Sequence, residues 1–364
     1  MAGGEFFSRQ VNSGSNLLSP FESLKEHFID SDIVVVNLEG PLFRGGEQMK
    51  EATALLENPP EIINYFIDFP RTVLVLGNNH ILDHGVEGFQ KTIDFLNQNK
   101  IFFVGAGLNE EAANKEIIFH IENTSIAFLA LTGDDEYVNS VIASGDNPGC
   151  ASYQNVSSVT DKIKHLRKSV DVICVIMHWG YEYFQFPSPH QRDMAHSFID
   201  AGAGLIIGHH PHVIQGIEVY KNTPIAYSLG NFFMSEFRHT HGRLSREDKL
   251  TREFMILHVG IDDQRKISYQ ATGGKRDKQY RFQKYRVREQ DKFQNKINKL
   301  SSPLYSDNYD QFWKKYNKRR RIELEFINLN SAIKKTFGLR RQDVKHLSID
   351  DFKRPFKRIW KLFR

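Results

Sequence analysis

The chain has 364 residues, 40% hydrophobic and 25% charged, with 12 prolines and 25 glycines; this is a globular composition, neither disordered nor fibrous. No run approaches the roughly 18 consecutive apolar residues of a membrane-spanning helix, and the opening MAGGEFFSRQ lacks the basic and apolar regions of a signal peptide. The formal charge of +4 is uneven: residues 314–364 carry 17 Lys/Arg against five Asp/Glu, a surplus of +12, which leaves −8 on the preceding residues. The basic balance belongs to the tail, so an overall pI near 8.8 does not mark the body as a nucleic-acid domain.

In chain order, FESLKEHFI (21–29) has the three-to-four-residue apolar spacing of a helix. DIVVVNLEG (32–40) and TVLVLGNNH (72–80) read as buried strands that run into polar residues at their carboxyl ends. Residues 85–99 read as a helix, and GAGLN (105–109) as a turn before another, because it lacks the spacing of a dinucleotide fingerprint. Residues 117–133 form an antiparallel pair turning at Glu122-Asn123. A helix over 159–169 precedes the strand DVICVIMHWG (171–180). Cys174 lies inside that run and reads as a buried small hydrophobe; with Cys150 as the other cysteine, no disulfide framework exists.

The aromatic loop 179–191 follows, as a substrate wall or a packed loop, and then a helix over 190–202 and the strand AGLIIGHH (203–210). Further pairs turn at Lys221-Asn222 and lie within 253–273, with a basic loop at 235–247 between them. Strands alternating with helices predict a layered α/β domain with mixed sheets, ending near Arg288. From Glu289 the sequence becomes polar, basic and helical, including one long helix over 310–338.

Four strand ends carry metal-ligand chemistry: Glu39, Asn79-His80, His178, and His209-His210-Pro211-His212. Ligands of α/β sheets bind at such carboxyl ends. A carboxylate, an amide oxygen and imidazoles suit Mn, Fe or Zn. A ligating imidazole is neutral and turns its second nitrogen to an acceptor, for which Asp83 and Glu182 lie on suitable loops.

With these strings in order, NLEGPL (37–42), NNHILDHG (78–85), GAGLNEEAA (105–113), MHWGYEY (177–183), GHHPHVIQGIEVY (208–220) and IAYSLGNF (225–232), residues 4–287 resemble the poly-γ-glutamate capsule-biosynthesis proteins. These are the CapA-like family of the calcineurin-like metallophosphoesterase superfamily. The resemblance implies a four-layer αββα sandwich and two divalent metal ions (Mn, Fe or Zn). It implies Asn79, His178, His210 and His212 as ligands, Glu39 in the place of a metal-bridging aspartate, and His80 as the catalytic proton donor beside the leaving group. Glu5 stands where the family carries the aspartate of an opening Gly-Asp, so a longer carboxylate would serve there. Asp83 completes the expected catalytic pair. The implied chemistry is phosphoester hydrolysis on a phosphoester or anionic polymer substrate. The alternative is a non-catalytic capsule or polymer assembly or export component that keeps the fold.

The final stretch, DDFKRPFKRIWKLFR (350–364), alternates aromatic and cationic residues at helical spacing. It reads as a basic amphipathic helix suited to peripheral contact with an anionic membrane. The expected setting is cytoplasmic or membrane-associated, and extracytoplasmic if a leader has been removed; nucleic acid is not an expected partner.

Overall fold

A computed structural model describes residues 2–3, 22–43, 45–47, 54–66, 69–135, 137–234, 250–277 and 282–337. Glu5, the basic loop 235–247 and the amphipathic stretch 350–364 lie outside the described residues.

The chain enters through a two-residue strand β1 (Ala2–Gly3) and a 3-10 helix, Glu22–His27, where the sequence spacing predicts an α-helix. The strands β2 (Val34–Asn37) and β3 (Thr72–Val75) precede helix α1 (Gly85–Gln98) and strand β4 (Phe102–Val104). These three strands form one parallel sheet in the order β2-β3-β4. The alternation of β3 decides what covers each face. Val73 and Val75 join one core, whereas Leu74 and the following Leu76 join another containing Phe89, Ile93 and Leu96 of α1. Those three α1 residues recur at helical spacing and are fully buried, each contributing about 2 kcal/mol.

Strand β5 (Ala106–Gly107) leads to helix α2 (Glu110–Asn114), whose cap Asn109 accepts from the Ala112 N–H at 2.7 Å. GAGLN is thus a turn into a helix, as expected. The hairpin β6 (Ile117–Ile121) and β7 (Thr124–Thr132) follows, then β8 (Gly149–Cys150), α3 (Val156–Leu166), β9 (Val172–His178), α4 (Pro189–Ala201) and β10 (Leu205–His209). Helix α4 starts with a reciprocal cap between Ser188 and Gln191 and stops at Gly202, whose φ of 117° is left-handed. The next hairpin, β11 (Ile217–Tyr220) and β12 (Thr223–Ala226), turns at Lys221 and Asn222, both at positive φ as a tight hairpin turn requires.

These strands build a six-stranded mixed sheet, β11-β12-β10-β9-β7-β6. Every residue of β9 is buried, as for a strand covered on both faces. Cys174 and Ile176 pack with Phe128 and Leu205 against Val73, Val75 and Val104 of the parallel sheet. The result is an α/β sandwich in which two sheets meet face to face. Both cysteines are free and buried, and burial pushes both thiols up to about 12.

Strand β13 (Phe233–Met234) pairs with β1, and β14 (Glu253–Ile261), β15 (Ile267–Arg276) and β16 (Phe282–Lys284) form an antiparallel sheet. Helix α5 (Val287–Ser301) buries Phe293, Ile297 and Leu300 in a core with Ile214, Met255 and Ala271. Compact units divide after Leu304, so α5, which the sequence change at Glu289 assigns to the extension, packs with the body.

The second unit contains helix α6 (Tyr309–Phe337), where Arg320 pairs with Glu323 at 2.9 Å. Among the described residues no helix is long and apolar enough to cross a membrane. That finding corrects the expectation of a membrane-associated chain as far as the described helices go: α6 is long, but Lys314, Lys315, Lys318 and Arg319–Arg321 interrupt its apolar positions.

Candidate metal centre

Register aligns the strand ends that carry the candidate residues. His178 is level with His209 of β10 and with Thr132 of β7, and Asn37 is level with Val75. The polar residues after β2, β3, β9 and β10 therefore emerge at carboxyl ends, where backbone groups no longer pair along a ladder.

Three side chains converge. His178 Nε2 lies 2.9 Å from Asn79 Oδ1 and 3.2 Å from His210 Nδ1. His210 Nε2 donates to the Tyr137 carbonyl at 3.0 Å, which leaves Nδ1 as the bare nitrogen facing His178. His178 Nδ1 is buried with no hydrogen-bond partner among the described residues, so neither Asp83 nor Glu182 serves it. His210 and His212 hold φ values of 93° and 58°, in the left-handed region that L residues rarely adopt. Such strain is characteristic of sites whose geometry is dictated by what they bind.

His212 is oriented by a chain of amides. Asn231 Nδ2 donates to the Thr251 carbonyl at 3.2 Å, so its Oδ1 accepts from His212 Nδ1 at 3.1 Å. His212 Nε2 is then bare, 3.9 Å from Glu39 Oε1 and 4.0 Å from Glu182 Oε1. Tyr183 stacks on the same ring at 5.8 Å, so the aromatic loop walls this side of the site. Glu39 is fully buried; Asn37 donates to its Oε2 at 3.2 Å, while Oε1 has no hydrogen-bond partner among the described residues. Burial pushes the Glu39 carboxyl up to about 7, against the pull of the His80 cation.

His80 and Asp83 form a pair of their own. His80 Nδ1 lies 2.7 Å from Asp83 Oδ2, which also accepts the Leu56 N–H at 2.7 Å. Burial opposes the His80 charge, but Asp83 overcomes it and raises the imidazole to about 9. The other imidazoles go the opposite way. Burial holds His178 well below its ordinary value, and His210 and His212 near 3, with neighbouring imidazoles adding to the effect on each. The site thus contains one cationic imidazole and three neutral ones, and only a neutral imidazole ligates a metal.

As the structure stands, His178 Nε2–H donates to Asn79 Oδ1 and His210 Nδ1; with that proton moved to Nδ1, the three atoms would have the donor chemistry of one borderline cation. Among the described residues no group of three or more His, Cys, Asp or Glu side chains is placed to hold a metal ion; the convergent donors are two imidazoles and an amide. Sequence reasoning missed Asn231, Asn37 and the Tyr137 carbonyl. The two asparagines sit inside quoted strings, NLEGPL and IAYSLGNF, whereas a backbone acceptor leaves no trace in a sequence.

The family profile described as "Bacterial capsule synthesis protein PGA_cap" matches residues 3–236. The chain is 34% identical over 220 residues to the "PGA biosynthesis protein CapA" of Bacillus subtilis, covering 60% of this chain and 57% of that protein. It is 33% identical over 225 residues to the "Capsule biosynthesis protein CapA" of Bacillus anthracis, covering 59% and 54%. The chain therefore spans a little over half the length of these curated relatives. Among solved structures, a hypothetical protein of Thermus thermophilus aligns at 12% identity with a TM-score of 0.40, covering 70% of this chain and 92% of that one. The NAD nucleotidase of Haemophilus influenzae aligns at 14% identity with a TM-score of 0.34, covering 72% and 47%.

Proposed function

The chain belongs to the PGA_cap family of bacterial capsule synthesis proteins, and on that premise we propose that it is a metal-dependent phosphoester hydrolase of capsule or envelope polymer biosynthesis, built on a four-layer αββα scaffold. One observation carries the reading: His178 Nε2 lies within 3.2 Å of both Asn79 Oδ1 and His210 Nδ1 at the strand ends. In this reading those three residues hold one divalent cation of the Mn, Fe or Zn type. Glu39 and His212 hold a second, with Glu5 as the further carboxylate expected from the sequence. Bound there, divalent cations supply Lewis-acid polarisation of a phosphoryl oxygen and lower the pKa of a water.

The protein's own groups do the rest. His80, protonated up to about pH 9, carries a proton on Nε2 to the leaving oxygen while Asp83 fixes the ring through Nδ1. The Leu56 N–H fixes Asp83 in turn. Tyr183, stacked on His212, narrows the approach and keeps water off that ring. An anionic polymer or phosphoester fits a site whose one charged imidazole is cationic.

The test is metal analysis of the full chain after dialysis against Mn²⁺, together with hydrolysis of bis(p-nitrophenyl) phosphate. His178→Ala is expected to lose bound metal. His80→Asn is expected to keep it while turnover falls by about 100-fold or more. A wild-type chain that binds no metal and hydrolyses nothing refutes the proposal and leaves the second reading, a non-catalytic component of polymer assembly. What favours that reading is that the described residues include no metal-ready group of three or more His, Cys, Asp or Glu.

A further inference from the structure

The turn that follows β7 is built around one carboxylate. Asp135 Oδ1 accepts the Tyr137 N–H at 2.9 Å and the Val138 N–H at 3.1 Å, and the Asp135 carbonyl accepts the Asn139 N–H at 3.0 Å. An aspartate that gathers the N–H groups two and three residues further on closes a tight local turn. Its other oxygen, Oδ2, accepts the Tyr153 hydroxyl at 2.9 Å. Tyr153 is buried, and its N–H donates to the carbonyl of Thr132 at the end of β7 at 3.0 Å. The far limb of the turn is tied to the same residue, since Ser140 Oγ lies 2.8 Å from Thr132 Oγ1. Among the described residues, the carboxylate's hydrogen-bond partners are thus two amides and a hydroxyl, none of them a cation.

The turn meets the candidate metal centre through a single peptide group. The carbonyl of Tyr137 and the N–H of Val138 belong to the same amide. Its oxygen accepts His210 Nε2–H at 3.0 Å, while its N–H donates to Asp135. An anion on the N–H side of an amide pushes electron density toward the oxygen, and hydrogen bonds in series strengthen one another by roughly 10–30%. The carbonyl offered to His210 is therefore a stronger acceptor than an ordinary backbone oxygen. A ligating imidazole turns its second nitrogen to a carboxylate or a carbonyl, which fixes the tautomer and raises the basicity of the ligating nitrogen. Here a carboxylate stands one amide away from the ring. The turn itself does not need the charge. An asparagine oxygen closes the same turn, and its amide would meet a Tyr153 hydroxyl that can accept as well as donate.

We propose that Asp135 is a positioning residue for His210: its carboxylate, acting through the one peptide group between Tyr137 and Val138, holds the ring in the Nε2–H form and makes the bare Nδ1 a stronger donor to a divalent cation. The Tyr153 hydroxyl moderates the effect by sharing the charge on Oδ2. The value of Nδ1 as a donor rests on the reading of His210 as a metal ligand, whereas the grip on the ring proton does not.

The test is ¹H and ¹⁵N NMR of the imidazole N–H groups in the metal-free full chain, with the His210 signal identified by its loss in His210→Gln. Asp135→Asn keeps the turn and removes the charge. It is expected to move the His210 Nε2–H proton upfield, as a weaker hydrogen bond does, and to raise the Kd for Mn²⁺ by about 10-fold. Tyr153→Phe leaves the whole charge to the amide side and is expected to move the proton downfield, so the sign of the effect stays testable if Asp135→Asn does not fold. Ser140→Ala loosens the same turn without touching the carboxylate and is expected to leave the signal in place. The proposal is overturned by an unmoved signal in Asp135→Asn, by an upfield or absent shift in Tyr153→Phe, or by an equal shift in Ser140→Ala. A moved signal with unchanged Mn²⁺ affinity also overturns it. A wild-type chain that binds no Mn²⁺ refutes the metal reading itself, and the proton signals alone then decide whether Asp135 governs the His210 ring.

Discussion

Replacing Glu218 by Gln is expected to weaken the fold in a pH-dependent way. Glu218 lies on β11 with its side chain 5% exposed. Its carboxylate accepts from Arg192 Nη2 at 2.9 Å, from Tyr227 Oη at 2.6 Å, and lies 3.1 Å from His196 Nε2. Burial alone would raise its pKa, but these partners overrule burial and hold it near 2, against an ordinary 4.5. A difference of that size corresponds to ~3 kcal/mol. Because the folded-state pKa is depressed, the stabilisation is fully present above about pH 4.5 and is lost as pH falls through about 2. Glu218→Gln keeps the volume and removes the charge. Urea unfolding followed by tryptophan fluorescence is expected to show the variant ~3 kcal/mol less stable at pH 7 and about half as much less stable at pH 3. A gap of equal size at both pH values refutes the reasoning, since it would reflect lost packing or shape rather than a lost carboxylate.

Asn231→Ala removes the acceptor that selects the Nδ1–H form of His212; ¹⁵N NMR of that ring is expected to show mixed tautomers, with stability lower by about 1 kcal/mol in urea titration. At Gly208 an added Cβ would sit 1.9 Å from the Tyr227 carbonyl, which also accepts Trp179 Nε1 at 3.1 Å. Gly208→Ala is therefore expected to cost at least about 2 kcal/mol, measured by denaturant midpoint. Cys150 and Cys174 are expected to resist iodoacetamide at pH 8 in the native protein and to react fully once unfolded, because burial raises both thiols to about 12.

The strands around the site are readable from sequence because β3 and β9 are apolar runs that end abruptly in Asn or His, and a buried strand has no other signature. The turns at Glu122 and Lys221 are readable for the same local reason. The pairing of Asn79 with His178 is not: it depends on two sheets docking, and the residues are 99 apart. Glu182 looks on spacing like an acceptor for a ligating imidazole, yet it stands 4.0 Å from His212. The Glu218 network gathers α4, β11 and Tyr227 just after β12, and no periodicity announces it. The 3-10 helix at Glu22–His27 shows the limit of spacing itself, since an apolar stripe fits either helical form over so short a stretch.

The separation between Asn79 and His178 has a consequence for the order of folding. Asn79 follows β3 of the parallel sheet and His178 closes β9 of the other, so their 2.9 Å contact is formed across the seam between sheets. Contacts of such long sequence range form late, after the loop between them has been closed. His210, a further 32 residues on from His178, joins later still during synthesis. A chain emerging from the ribosome has made every strand from β2 to β10 before these three side chains can meet, so shorter nascent chains bring no such trio together.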